Sequence, residues 1–298
     1  MAVWTDDSSF LTGAVRKVDL VYLSAALDQH ADEGVGLSFG VIWYQGKFSA
    51  IEIEDQCVAI AIAQQPTEQG VFVGLAGKVF CIGSGEEHWE QISGPKMRGP
   101  LRCARSIAGK VYAAGMDRQV YRRDERNNWV ACDQGAKPKK SNEDTVTGFE
   151  GIDGFAANDI YAVGWNGEIW HYDGKRWRQI ESPTNIILTN ICCAGDGKVY
   201  ACGRVGTLLR GRGDEWEVIE HDSIDKDIWG LAWYQDTLYV ATRTALFTLI
   251  KKDKLKVVRF EDDIPGSFYH LSAADGVLWS IGTKDVMAYD GSEWSRIE

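Results

Sequence analysis

A seven-bladed β-propeller, all-β and built of four-stranded antiparallel blades, is the fold that this 298-residue sequence predicts. Three observations predict it. Aromatic residues at positions 112, 161, 200, 239 and 279 sit in short β-type runs such as Lys110-Val111-Tyr112-Ala113 and recur at intervals of 49, 39, 39 and 40 residues. A second marker, a Trp near the end of each unit, falls at Trp89, Trp129, Trp177, Trp216 and Trp294, with gaps of 40, 48, 39 and 78, and Leu255 stands where one is missing. The composition is rich in Gly (32) and Trp (12) and poor in Pro (6) and Met (4), which suits many short strands joined by tight turns. Two markers sharing one period near 40, with four β-runs in each period, are the pattern of a propeller blade.

The fifth unit shows the four runs best, at residues 187–193, 198–202, 207–210 and 216–219, separated by Gly- and Asp-containing turns. A solenoid would need shorter turns, and a β/α horseshoe would need Leu-rich helical halves; neither pattern is present. Extending the period predicts one domain over residues 1–298, with blades at about 14–55, 56–95, 100–134, 149–183, 186–222, 227–262 and 267–298. The first unit is degenerate. Its runs are read as 18–24 (inner), 35–39, 41–44 and 48–53, with Ile51 at the place of the Trp. Six blades plus an irregular N-terminal segment is the alternative reading. The last unit is complete at the C-terminal end, so the ring is expected to close end to end, with residues 1–10 adding a strand or covering the seam.

Charge and cysteines bound the setting. With 32 Lys and Arg against 43 Asp and Glu, the formal charge is −11, which disfavours nucleic acid and anionic lipid and favours a basic partner. No apolar run is long enough to span a bilayer, and the N-terminal residues lack the basic and apolar regions of a signal peptide. The seven Cys include no C-x-x-C, and Cys57, Cys81, Cys103, Cys192, Cys193 and Cys202 lie in apolar runs. They read as buried free thiols in a reducing compartment, so a cytoplasmic protein is expected, monomeric when free.

The stretch from Ile160-Tyr161-Ala162-Val163-Gly164-Trp165 through Asp173-Gly174-Lys175-Arg176-Trp177 resembles the repeat of bacterial WD-like and YVTN-type propellers. It is similar also to photosystem II assembly-factor and Kelch-like propellers. The resemblance covers residues 57–298 well and 1–56 poorly. It implies the fold but not one activity, because propellers host hydrolases, lyases, lectins and scaffolds. The Asp173-Gly174 and Asp290-Gly291 hairpins are similar to the Asp-box of sialidase-type propellers but differ in spacing, and an Asp-stabilised turn explains them. Arg212-Gly213-Asp214 is a hairpin by the same reasoning.

No catalytic constellation is visible. His30, His88, His171, His221 and His270 are scattered without metal-ligand spacing, and there is no G-x-S-x-G elbow or P-loop, so no catalytic residue, metal or cofactor is predicted. Loops offer more. Glu220, Asp222, Asp225 and Asp227 precede the sixth unit, and Glu261, Asp262 and Asp263 precede the seventh, placing two acidic loops on neighbouring blades. The long connection 133–148 carries Lys139 and Lys140. Trp165, Arg204 and Arg243 lie in turns expected near the channel mouth, together with Arg118 and Lys284. All of these but Arg118 and Lys284 form the expected partner-binding set. The expected function is a non-enzymatic protein binder, most concretely an inhibitor or immunity protein that covers a basic toxin. A scaffold or assembly factor with several partners, and a hydrolase or lyase acting in the channel, are the alternatives.

Overall fold

The computed structural model describes residues 7–29, 36–92, 97–138, 146–261 and 263–297. Seven four-stranded sheets follow one another along the chain, each with its strands in consecutive order, and all the pairings within them are antiparallel. Each inner strand contacts the next, and that of the seventh sheet returns to that of the first, which closes the ring. The protein is therefore a seven-bladed propeller, and the six-blade alternative falls.

The first blade corrects the sequence reading. Its inner strand is Ser8–Lys17, and the run taken as inner belongs to the second strand, Leu20–Leu27; the third and fourth are Ser38–Tyr44 and Lys47–Ile53. Gly40, read as a break between two runs, lies inside the third strand. There a Cβ would come within 3.2 Å of Ile53 and Phe72, so the glycine answers a close approach rather than a turn. Of residues 1–10, Ser8, Ser9 and Phe10 begin that inner strand instead of adding a separate one.

The ring closes without a shared blade. Phe10 N–H donates to Thr283 O at 2.9 Å and Val15 N–H to Ser272 Oγ at 3.0 Å. Lys284 Nζ donates to Ser8 O and to Asp28, and Trp43 meets Trp279 edge-on at 5.0 Å between centroids.

The two sequence markers are the two halves of the core between blades. Tyr112 shares a buried cluster with Trp177 of the next blade. Tyr161 clusters likewise with Trp216, Tyr200 with Leu255 and Tyr239 with Trp294. Across the seam Trp279 clusters with Phe48 of the first blade, so Phe48, not Ile51, holds the Trp place there. Each junction buries aromatic surface worth about 2 kcal/mol or more per side chain, which is why the period is written in aromatics.

Two junctions depart from this: between blades 1 and 2 Trp89 is exposed and Tyr22 clusters with Phe72 and Phe80 instead, and between blades 2 and 3 the contact is partly polar. Trp129 packs on Val71, Val73 and Cys81, and a polar cluster completes the contact. Arg123 and Glu90, 1% and 4% exposed, pair through Nε and a terminal nitrogen at 2.7–3.3 Å, and Trp129 Nε1 donates to Glu90 at 2.8 Å.

Candidate functional site

In a four-stranded meander, the turn between second and third strands and the link from outer strand to the next inner strand open on one face. That geometry places the two acidic loops and the turns holding Trp165, Arg204 and Arg243 on the same side of the ring. Contacts join two of them: Val205 N–H donates to Asp227 Oδ1 at 3.0 Å, and Gly206 N–H to Lys226 O at 2.9 Å.

The acidic residues differ in how far their charge is engaged. Glu220, Asp222 and Glu261 are exposed and take no ion pair among the described residues. Asp225 lies 3.6 Å from Lys226, and Asp227 caps the Val205 turn. Asp263 is held by Arg296 Nε and a terminal nitrogen at 2.5–2.9 Å, and this bonding lowers its pKa. Asp262, Lys139 and Lys140 lie outside the described residues.

Among the basic and aromatic candidates, Trp165 sits in a 3-10 turn, half-buried, and donates Nε1–H to Glu150 Oε1 at 2.7 Å. Arg243 is exposed, with its guanidinium 5.5 Å from the Trp229 ring and 5.7 Å from the Tyr269 ring. Arg204 is exposed on its turn. Arg118 is committed elsewhere: it holds Glu168 through two bonds and lies over Trp170.

The axis of the ring is a cavity of about 850 Å³. Each inner strand meets it by one rule. A buried residue anchors the channel-mouth end of each strand (Phe10, Cys57, Leu101, Phe149, Leu188, Ile228, Phe268), and the next residue along lines the cavity. Those next residues are Leu11, Val58, Arg102, Glu150, Thr189, Trp229 and Tyr269. The ring is thus apolar at blades 1 and 2, charged at 3 and 4, and aromatic at 6 and 7. Sequence reasoning missed it, although the buried anchor at the head of each β-run was the available signal.

Deeper in the cavity Arg105 Nε donates to Asp153 Oδ1 at 3.3 Å, while Asp153 also accepts from the Gly154 and Cys193 amides. His270 lies nearby, and burial, then the Arg105 charge, push its pKa down to about 4. Arg16 donates to Glu68 at 2.8 Å and to Tyr22 Oη at 3.0 Å.

One set of side chains has the donor types of a metal site. Cys81, His88 and Glu90 bring ligand atoms within 4.8 Å of one another. The fit is poor. Arg123 already supplies the cation that Glu90 faces and lies 3.5 Å from His88 Nε2, while burial raises the Cys81 thiol to about 12. The group is a charge-matched junction between blades.

Seven meanders around an open channel, with charged loops gathered at one mouth, define a propeller of the kind that presents a face to other molecules. The chain belongs to the family of Immune protein Tsi7 of Pseudomonas aeruginosa (strain PAO1), with which it is 49% identical over 299 residues, covering 97% of each chain. No protein-family model matches. Among solved structures it is similar to the WD40 propeller domain of Doa1 (TM-score 0.69, 10% identity, 98% of this chain and 93% of that one). It is similar too to YCF48 bound to D1 peptide (0.67, 15%, 93% and 90%). An inactive virginiamycin B lyase from Staphylococcus aureus with quinupristin also aligns (0.64, 12%, 81% and 83%). At such identities these likenesses speak to fold alone.

Proposed function

We propose that this protein is a non-enzymatic immunity protein that binds a protein toxin and neutralises it by covering it. The observation that carries this reading is the 49% identity, over 97% of both chains, with an immune protein. The channel-mouth face suits the role. Glu220, Asp222, Asp225, Asp227, Glu261 and Asp263 form an acidic sector there, which complements a basic toxin and speeds its capture. Trp165, Arg204 and Arg243 supply side chains of the kinds that dominate binding energy at interfaces. The free protein acts as a cytoplasmic monomer.

The test has two arms. Tagged protein is used to capture partners from a lysate of the cells that make it, at low and moderate salt, beside the variant Glu220→Gln, Asp222→Asn, Glu261→Gln. The captured protein is then expressed in a sensitive host with and without this chain. One stoichiometric basic partner, lost in the variant and toxic only when this chain is absent, is expected. Several substoichiometric, non-toxic partners would instead support a scaffold.

A further inference from the structure

We propose that the channel mouth is a binding site for a small multivalent oxyanion, a di- or tricarboxylate or a phosphate, held by Arg102, Arg243 and the Tyr269 hydroxyl. The inference is separate from toxin binding and concerns the protein alone.

The first observation is unspent donors. Arg102 uses only its Nε, at 3.0–3.1 Å from the two Glu150 oxygens, so its terminal nitrogens take no acceptor among the described residues. Arg243 makes no ion pair among the described residues; the Trp229 and Tyr269 rings hold its guanidinium in place. The Tyr269 hydroxyl likewise has no hydrogen-bond partner among them. All these side chains line the same cavity, on blades 3, 6 and 7.

The second is convergence. Burial raises the Tyr269 pKa, and beyond that its hydroxyl feels the charges of Arg243, Arg102 and Glu150. Arg243 lies 5.7 Å from the Tyr269 ring, and Arg102 lines the same cavity from blade 3. The Glu150 carboxylate offsets the charge of Arg102 but leaves its terminal N–H groups free to donate, and it is itself fixed by Trp165 Nε1 at 2.7 Å.

The third is the sign of the field. At the cavity wall Arg16, Arg102 and Arg105 are each matched by a carboxylate, of Glu68, Glu150 and Asp153, which leaves Arg243 as the uncompensated charge among the described residues there. That one uncompensated guanidinium, set beside the low-dielectric Trp229 and Tyr269 rings, favours an anion at the mouth. Guanidinium groups suit oxyanions because two N–H bonds run parallel to two oxygens. A cavity of about 850 Å³ also falls in the range that small ligands occupy.

The test is calorimetric titration of the purified chain with sodium citrate and with inorganic phosphate, at pH 7.5 and constant ionic strength. Saturable one-to-one binding of at least one of them is expected, and the stronger of the two identifies carboxylate or phosphate chemistry. Arg243→Gln should weaken it by about ten-fold or more, the usual effect of losing a charged hydrogen-bond donor. Tyr269→Phe should weaken it less. Lys175→Gln, at an exposed hairpin outside the cavity, should leave it unchanged. If Arg243→Gln does not fold, Arg243→Lys and Tyr269→Phe carry the comparison. Absence of saturable binding by either anion, or equal binding by wild type and both channel variants, overturns the proposal.

Discussion

Arg123 and Glu90, 33 positions apart in the chain and both nearly inaccessible to solvent, clasp blades 2 and 3 through a guanidinium–carboxylate pair at 2.7–3.3 Å. Burial alone would raise the Glu90 pKa, but the bonds from Arg123, His88 and Trp129 outweigh it and leave the carboxyl below its ordinary value. Removing one partner strands the other charge in the core, which costs about 3–5 kcal/mol. We therefore expect Glu90→Ala to lower the unfolding free energy in denaturant titrations by that amount. Replacing both partners with apolar residues of similar size should cost much less. The folded pKa is depressed, so the stabilisation is present above the unfolded value of about 4.3 and is lost as pH falls through the folded one. Below about pH 4 the wild type and Glu90→Gln should converge in stability, and a gap that stays constant to pH 3 would contradict this account.

The clasp also shows where sequence reasoning reaches its limit. Period, blade number and the aromatic junctions were legible because the same contact is repeated, so Tyr161 with Trp216 announces Tyr239 with Trp294. The Arg123–Glu90 junction occurs once, and a unique contact leaves no periodic trace. Blade 1 misled for a related reason. Its Gly40 is imposed by Phe72 of the neighbouring blade, a neighbour that no local pattern reveals. At the site, Trp165 and Arg243 could be found as aromatic and basic side chains in turns. Arg102, Glu150, Trp229 and Tyr269 converge only because inner strands far apart in sequence meet at the axis.

The thiols should be silent in the folded protein. Burial pushes the pKa of Cys57, Cys81, Cys192 and Cys202 up to about 12, and those of Cys103 and Cys193 upward as well. Thiolate is the reactive form, so at pH 8 these six should resist a disulfide reagent until the ring unfolds. Stopped-flow labelling with and without denaturant measures this. A stoichiometric fast phase in the native protein at any of them would show that its blade opens locally.

His270 should make the ring acid-sensitive in a defined window. Its folded pKa, about 4, lies below the free value of 6.5, because burial and then the Arg105 charge disfavour the imidazolium. Folding thus favours the neutral ring. The associated stability is complete above pH 6.5 and declines as pH falls towards 4, by about 3 kcal/mol at most. His270→Gln removes the titration, so its stability relative to wild type should rise steadily between pH 6.5 and 4. A difference independent of pH across that interval would mean that His270 is not held neutral in the fold.

Charge and contact at the channel-mouth face should separate kinetically when the toxin partner is in hand. Glu220, Asp222 and Glu261 are exposed and make no ion pair among the described residues, so their charge acts at a distance through solvent. Neutralising the three should slow association several-fold at low salt, with little change in dissociation, and the effect should fade as salt shortens the screening length. Trp165 is different, being half-buried and fixed by its bond to Glu150. A rigid aromatic at an interface acts through desolvated contact, so Trp165→Ala should speed dissociation by ten-fold or more, on the order of a hot-spot loss, and barely alter association. Surface plasmon resonance at two salt concentrations reads both rates. If the three carboxylates change dissociation instead, the acidic loops touch the partner directly; if Trp165→Ala changes neither rate, the partner sits away from the channel mouth, and the docking face assigned to this protein is wrong.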